Sequence, residues 1–127
     1  VTSFGPIAPS SESMTHGALY DLGGHIRCVL HVHAPTIWRQ AAELGLPCTR
    51  PGIGYGTPAM ALEMSRLSRE TTLWERPVLA MTGHEDGVIA FGRSAAEAGG
   101  ALMEALAASH AHSYSVNGRA CSDREST

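Results

Sequence analysis

The sequence contains no lysine; all nine of its basic residues are arginine. Without a lysine amine these residues offer no nucleophile for Schiff-base aldolase or pyridoxal-phosphate chemistry. Any carbon–carbon bond chemistry they carry must stabilise a carbanion by another route, and a bound metal ion is the natural substitute. Cysteine is scarce too: Cys28, Cys48 and Cys121 form no CxxC pair, and their odd number leaves at least one outside any intramolecular disulfide. That usage fits a reducing cytoplasm. No apolar run approaches the roughly 20 residues of a bilayer-spanning helix. Residues 1 to 9 are too short and too weakly apolar for a signal peptide, so a soluble cytoplasmic protein with no membrane partner is expected. Excess positive charge is also lacking. A formal net charge of -3 leaves no basic footprint for a nucleic-acid backbone, so no nucleic-acid partner is expected.

What remains is the composition of an ordinary globular domain, 43% hydrophobic over 127 residues, a length that fits one domain spanning 1–127. Gly5, Pro6 and Pro9 mark an irregular lead-in. Ser10 and Ser11 can cap a helix from Glu12 to about Leu22 that buries Met14, Leu19 and Leu22 and stops at Gly23-Gly24. The run Ile26 to Ala34, rich in branched apolar residues and closed by Pro35, reads as a buried strand. Thr36 to Leu44 suits a short helix ended by Gly45, and residues 47 to 58, dense in proline and glycine, suit a loop. Pro58 opens a helix to about Thr71 with Met60, Leu62, Met64 and Leu67 as core candidates. Two apolar runs, from Pro77 and from Gly87, flank the turn Gly83-His84-Glu85-Asp86 and predict a hairpin. Ser94 and Glu97 form a capping box for an alanine-rich helix to about His110, in which Gly99-Gly100 implies a close packing partner, and the polar tail from Ser113 is expected to fray.

His31 and His33 lie two apart in the predicted strand, where alternation sends both imidazoles to the same face. Neutral imidazole is a zinc ligand, and catalytic zinc commonly takes three protein ligands and leaves a fourth position open. His84, in a turn directly after an apolar strand, is the candidate third ligand. A pair of histidines hydrogen-bonded in the ordinary way is the competing reading of His31-x-His33. Glu12 is the acidic partner of choice, because it opens a helix after two hydroxyl residues and first-turn amides favour anions. Ser10, Ser11 and that helix start could hold a phosphate or carboxylate; a plain capped helix is the alternative. His110 and His112 repeat the spacing on a helix end, where residues two apart do not share a face, and read as helix-end cations or polar surface. His16 and His25 read as structural, with His16 placed to orient Glu12.

The run Pro9-Ser10-Ser11-Glu12 with His16 and Tyr20, then Val29-Leu30-His31-Val32-His33, then Gly83-His84 ahead of Gly87-Val88-Ile89, resembles the class II aldolase and adducin family over residues 8 to 112. The family includes sugar-phosphate aldolases, ribulose-phosphate epimerases and the non-enzymatic adducin head. The resemblance implies an α/β fold with a mixed sheet flanked by helices, a reduced, N-terminally shortened version of the family's three-layer arrangement. It implies Glu12 as the catalytic acid/base, His31, His33 and His84 as ligands of Zn²⁺ (with Mn²⁺ or Co²⁺ as alternatives), and Ser10 and Ser11 near the substrate. The implied activity is that of a metal-dependent lyase acting on a small hydroxy-carbonyl or sugar-phosphate substrate through a metal-stabilised enediolate. A non-catalytic metal-binding or assembly module, or an epimerase or dehydratase, is the alternative. A homo-oligomer, tetrameric by analogy, is also implied. Glu85 and Asp86 stand where the family places glycine after the histidine, and read as solvated turn residues, with crowding of the open metal position as the alternative.

Overall fold

A computed structural model of the chain describes the backbone of residues 2–125 and the side chains of residues 2–115. Its elements run α1 (Glu12–Tyr20), β1 (Cys28–His33), α2 (Pro35–Gln40), α3 (Pro58–Glu70), β2 (Val78–Ala80), β3 (Gly87–Gly92) and α4 (Ala95–Glu125). The three strands form one sheet in the order β1-β3-β2, and both pairings are antiparallel. The expected mixed sheet is therefore corrected to an antiparallel one. The parallel component is a single bridge, Cys48 to Ala80, with the Thr49 N–H donating to the Ala80 carbonyl at 3.0 Å. The 47–58 segment is held to the edge of β2 by that bridge without becoming a strand, as its prolines and glycines require.

Alternation along the strands sorts the core into two clusters. Val29, Leu79, Ile89 and Phe91 pack with Leu19 of α1 and with Met60, Met64 and Leu67 of α3. Val78, Ala80, Val88 and Ala90 pack with Ile37 of α2 and Ala105 of α4, with Val32, Leu102 and Leu106 partly buried against them. Both faces of β3 are thus covered, which explains why all six of its residues are buried and why GVIAFG is apolar without a break. Side chains such as Ile89 and Met64, at 0% exposure, each contribute about 1.5–3 kcal/mol of transfer free energy. Because residues 29, 31 and 33 share a face of β1, the buried Val29 sends His31 and His33 to the side on which α1 lies.

Local signals account for the helix starts. Pro58 stands at the first turn of α3, and the Thr57 hydroxyl accepts the Met60 N–H at 3.3 Å. Ser94 Oγ accepts the Glu97 N–H at 3.1 Å ahead of α4. Two predicted core positions are corrected: Leu62 is 74% exposed and Met14 47%, while Thr15 and Glu63 take buried places on the same helices. The predicted end of the last helix is also corrected. α4 continues to Glu125, because a polar face does not stop a helix in the absence of proline, and a bond from Gln40 to Ser113 and the pair His112–Glu43 hold it against the end of α2. His112 Nε2 lies 2.5 Å from a carboxylate oxygen of Glu43. Gly99-Gly100 has no close neighbour: a Cβ at either would meet nothing within 4 Å, and nothing in the structure explains the pair. The close approach falls instead at Gly92, where a Cβ would lie 3.0 Å from the Ala98 nitrogen.

Cys28 and Cys48 are both free thiols, and Cys121 lies outside the described side chains. No helix among the described residues is long and apolar enough to cross a membrane.

Candidate metal centre

The centre assembles at one end of the sheet. The antiparallel register sets His31 opposite Ile89 and His33 opposite Gly87, the first residue of β3. The chain enters β3 through a compact turn in which the His84 N–H donates to the Met81 carbonyl at 3.0 Å and the Gly87 N–H donates to the His84 carbonyl at 2.9 Å. Asp86 makes this possible by adopting φ 64, a left-handed conformation that aspartate tolerates better than most residues. Its carbonyl then accepts the Ala34 N–H at 2.8 Å, which ties the turn to the end of β1. On the other side, the Trp38 indole N–H donates to the Met81 carbonyl at 2.9 Å. The turn carrying His84 is thus fixed from both flanks.

The result is a triangle of imidazoles. Ring centroids lie 5.3 Å apart for His31–His33 and 5.2 Å apart for His31–His84 and for His33–His84. One ligand nitrogen from each falls within 4.8 Å of the others, a spacing that one metal ion can bridge. His33 Nε2 and His84 Nε2 stand 3.4 Å apart.

α1 brings Glu12 to the same place. Its Oε1 lies 3.2 Å from His84 Nδ1 and its Oε2 lies 3.8 Å from His31 Nδ1. Neither approach has hydrogen-bond alignment. Both Glu12 oxygens, His31 Nε2 and His84 Nδ1 are buried without a hydrogen-bond partner. Burying four unpaired polar atoms in one small volume is costly, and it is rare in native proteins unless an ion or water completes them. The histidine set therefore fits a divalent cation, three imidazole nitrogens being ligands that zinc and its neighbours take, with the Glu12 carboxylate beside two of the rings. Burial holds the His31 imidazole below its ordinary range; the Glu12 carboxylate opposes that shift, and His84, His33 and His16 reinforce it. A neutral imidazole is the form that ligates.

The two serines are placed less tightly. Ser10 and Ser11 are both exposed at the start of α1. Ser10 Oγ accepts the Glu12 N–H at 3.3 Å and lines, with Glu12, Ser13, His16, Gly17 and Tyr20, an open cavity of about 420 Å³. Ser11 is the N-cap residue, but its side chain makes no capping bond. His25 stacks on Trp74 with centroids 4.9 Å apart, away from the centre. Glu85 is exposed, as a solvated turn residue should be, whereas Asp86 is half-buried with one carboxylate oxygen lacking a partner.

One neighbour of the centre carries no signal in the motifs. Tyr55 packs on His84 with ring centroids 4.4 Å apart and planes inclined by 51°. A lone aromatic in the glycine-rich stretch Gly54-Tyr55-Gly56 was the available clue, since loops rich in glycine rarely spend a large side chain without a contact for it.

No curated protein and no solved structure matches the chain. The family model of the class II aldolase and adducin N-terminal domain matches residues 2–112. That span takes in Glu12, all three histidines and every element up to the middle of α4, so the chain belongs to the class II aldolase and adducin family.

Proposed function

We propose that this chain is a metal-dependent aldehyde-lyase, cleaving or forming a carbon–carbon bond of a small hydroxy-carbonyl or sugar-phosphate substrate. The observation that carries the reading is the convergence of His31, His33 and His84 on one another, with the Glu12 carboxylate, whose oxygens have no hydrogen-bond partner, beside His31 and His84. Family membership supports it, since class II aldolases use divalent metals.

His31, His33 and His84 hold the ion, with Zn²⁺ favoured by the nitrogen-rich set and Mn²⁺ or Co²⁺ as substitutes. When bound, the cation supplies Lewis-acid polarisation of the substrate's carbonyl and hydroxyl oxygens, the task a lysine imine performs elsewhere. Glu12 moves the proton. It delivers one to the carbon next to the carbonyl after cleavage, or removes it in the synthetic direction, within reach of both His31 and His84. Ser10, on the rim of the cavity shared with Glu12, offers a hydroxyl to the substrate, and the positive end of the α1 dipole beside Ser11 favours an anionic group there. By family analogy the active form is a homo-oligomer, a tetramer, in the cytoplasm, with the sheet and helices arranged as in the family's three-layer core.

The test compares wild type with Glu12→Gln for metal content and for cleavage of a panel of hydroxy-carbonyl and sugar-phosphate substrates. Loss of turnover by at least 100-fold with metal retained is expected for a general acid/base. Equal activity in both proteins removes Glu12 from the mechanism, and a metal-loaded wild type silent on every substrate supports the non-catalytic module instead.

A further inference from the structure

We propose that Tyr55 is a positioning residue for the metal centre: its ring, carried on a loop clamped between α1 and the His84 turn, holds the His84 imidazole in ligating orientation. The inference rests on the reading of His31, His33 and His84 as one ligand set.

His84 comes from a turn, not from the sheet, so the pleat that aims His31 and His33 does nothing for its side chain. Main-chain bonds fix the His84 backbone. They leave the two side-chain torsions free. The Glu12 carboxylate approaches Nδ1 without forming an aligned bond, and His33 is itself a ligand candidate. Beside the Gly87 backbone and the His31 ring, Tyr55 gives the nearest ring contact, and at a centroid separation of 4.4 Å it blocks rotation of the imidazole toward the loop.

A half-exposed loop tyrosine can do this only if the loop is rigid, and the 52–57 segment is. The Gly56 N–H donates to the buried Thr15 hydroxyl of α1 at 3.0 Å. Gly56 sits at φ +69 with so little room that a Cβ would fall 2.5 Å from the Ser11 carbonyl oxygen. Gly83, the residue before His84, packs equally hard on the loop: a Cβ there would lie 2.9 Å from the Ile53 oxygen. Ile53 is packed on the core cluster, and the Thr57 hydroxyl donates to the Gly54 carbonyl at 2.6 Å. The same six residues therefore contact the residue before Glu12 and the residue before His84. They are the common reference that sets the acid and the third ligand at their mutual distance, and Tyr55 is the side chain through which that reference reaches the ligand.

The ring, not the hydroxyl, carries this role, which makes the test specific. Wild type, Tyr55→Phe and Tyr55→Ala are titrated with Zn²⁺ against a chromophoric chelator, and the Co²⁺-loaded forms are compared by visible absorption. Expected are a Zn²⁺ affinity reduced about fivefold and an altered Co²⁺ spectrum in Tyr55→Ala, with both restored in Tyr55→Phe, and melting of the metal-free proteins unchanged. Tight binding by wild type with the same affinity and spectrum in Tyr55→Ala overturns the role of Tyr55 and leaves the ligand set standing. Loss in Tyr55→Phe equal to that in Tyr55→Ala also overturns it, because the hydroxyl would then be the acting group. A wild type that binds neither Zn²⁺ nor Co²⁺ overturns the ligand set and this inference together.

Discussion

If His31, His33 and His84 bind one ion, metal and fold must be thermodynamically linked, and the size of the linkage can be worked out. The perturbation is addition of Zn²⁺ to metal-free protein at 100 times its dissociation constant. A ligand that binds only the folded state then stabilises by RT ln(1 + 100), about 2.7 kcal/mol. An unfolding entropy of about 2.1 cal/mol/K per residue gives roughly 0.27 kcal/mol/K for a 127-residue chain, so the melting midpoint should rise by about 10 °C. His84→Ala removes one of three nitrogens and should abolish most of that rise. The apo midpoint should change little, because the His84 ring has one long hydrogen-bond contact to lose, from Nε2 to His33 at 3.4 Å, and its Nδ1 has none. Scanning fluorimetry across a Zn²⁺ series, repeated with Mn²⁺ and Co²⁺, reads both. A flat midpoint with all three ions refutes the metal centre. A rise that survives in both His31→Ala and His84→Ala places the ion elsewhere.

Two further outcomes test how the scaffold holds the site. Glu63, at 4% exposure, accepts bonds from the Arg66 guanidinium and from the Arg50 N–H at 3.3 Å, and these hold its carboxyl below the usual range, the Arg66 bond foremost. A depressed carboxylate contributes its full stability above the unfolded value, about 4.3, and loses it as pH falls through the lower folded value. Glu63→Gln should therefore cost about 2 kcal/mol at pH 7, less than a fully buried pair because the Arg66 side chain is 18% exposed. In urea melts the gap to wild type should close as pH drops below the carboxylate range, and a gap independent of pH would show that Glu63 does not act through its charge. Gly56→Ala should cost about 2 kcal/mol or more, from a left-handed backbone and a Cβ forced onto the Ser11 carbonyl. An unchanged midpoint in that variant would mean that the 52–57 loop is not clamped to α1.

How much of this was legible in the sequence depends on whether the signal is local. The β2–β3 hairpin, the β1 strand and the start of α3 at Pro58 follow from branched runs, glycine breaks and an N-terminal proline, all of which act within a few residues. The His31 and His33 pair is legible for the same reason, because strand alternation alone puts both on one face. Leu62 was not, since its neighbours Met60, Met64 and Leu67 are equally apolar and only tertiary packing decides the rotation of α3 about its axis; the buried Glu63 shows how far that packing overrides hydrophobicity. The end of α4 was missed because polarity is not a stop signal. The contact of Tyr55 with His84 is signalled only by a lone aromatic among glycines, because its place is set by Thr15, Ser11 and Gly83, which are distant in sequence.

β3 is the element on which the centre depends. It is the middle strand, paired along its whole length with β1 and with β2 over three residues, and its first residue, Gly87, lies across from His33 while closing the turn that carries His84. A one-residue slip of β1 against β3 would reverse the face of His31 and His33 and carry them away from His84 and Glu12 together. The burial of Val29 in one cluster and of Val32 against the other opposes that slip, which would carry each to the opposite face, out of the cluster it packs with. Core packing and site geometry are thus one constraint, and exchanging Ile89 with Ala90, which pack in different clusters, should lessen the Zn²⁺-dependent rise in melting midpoint although neither belongs to the histidine cluster.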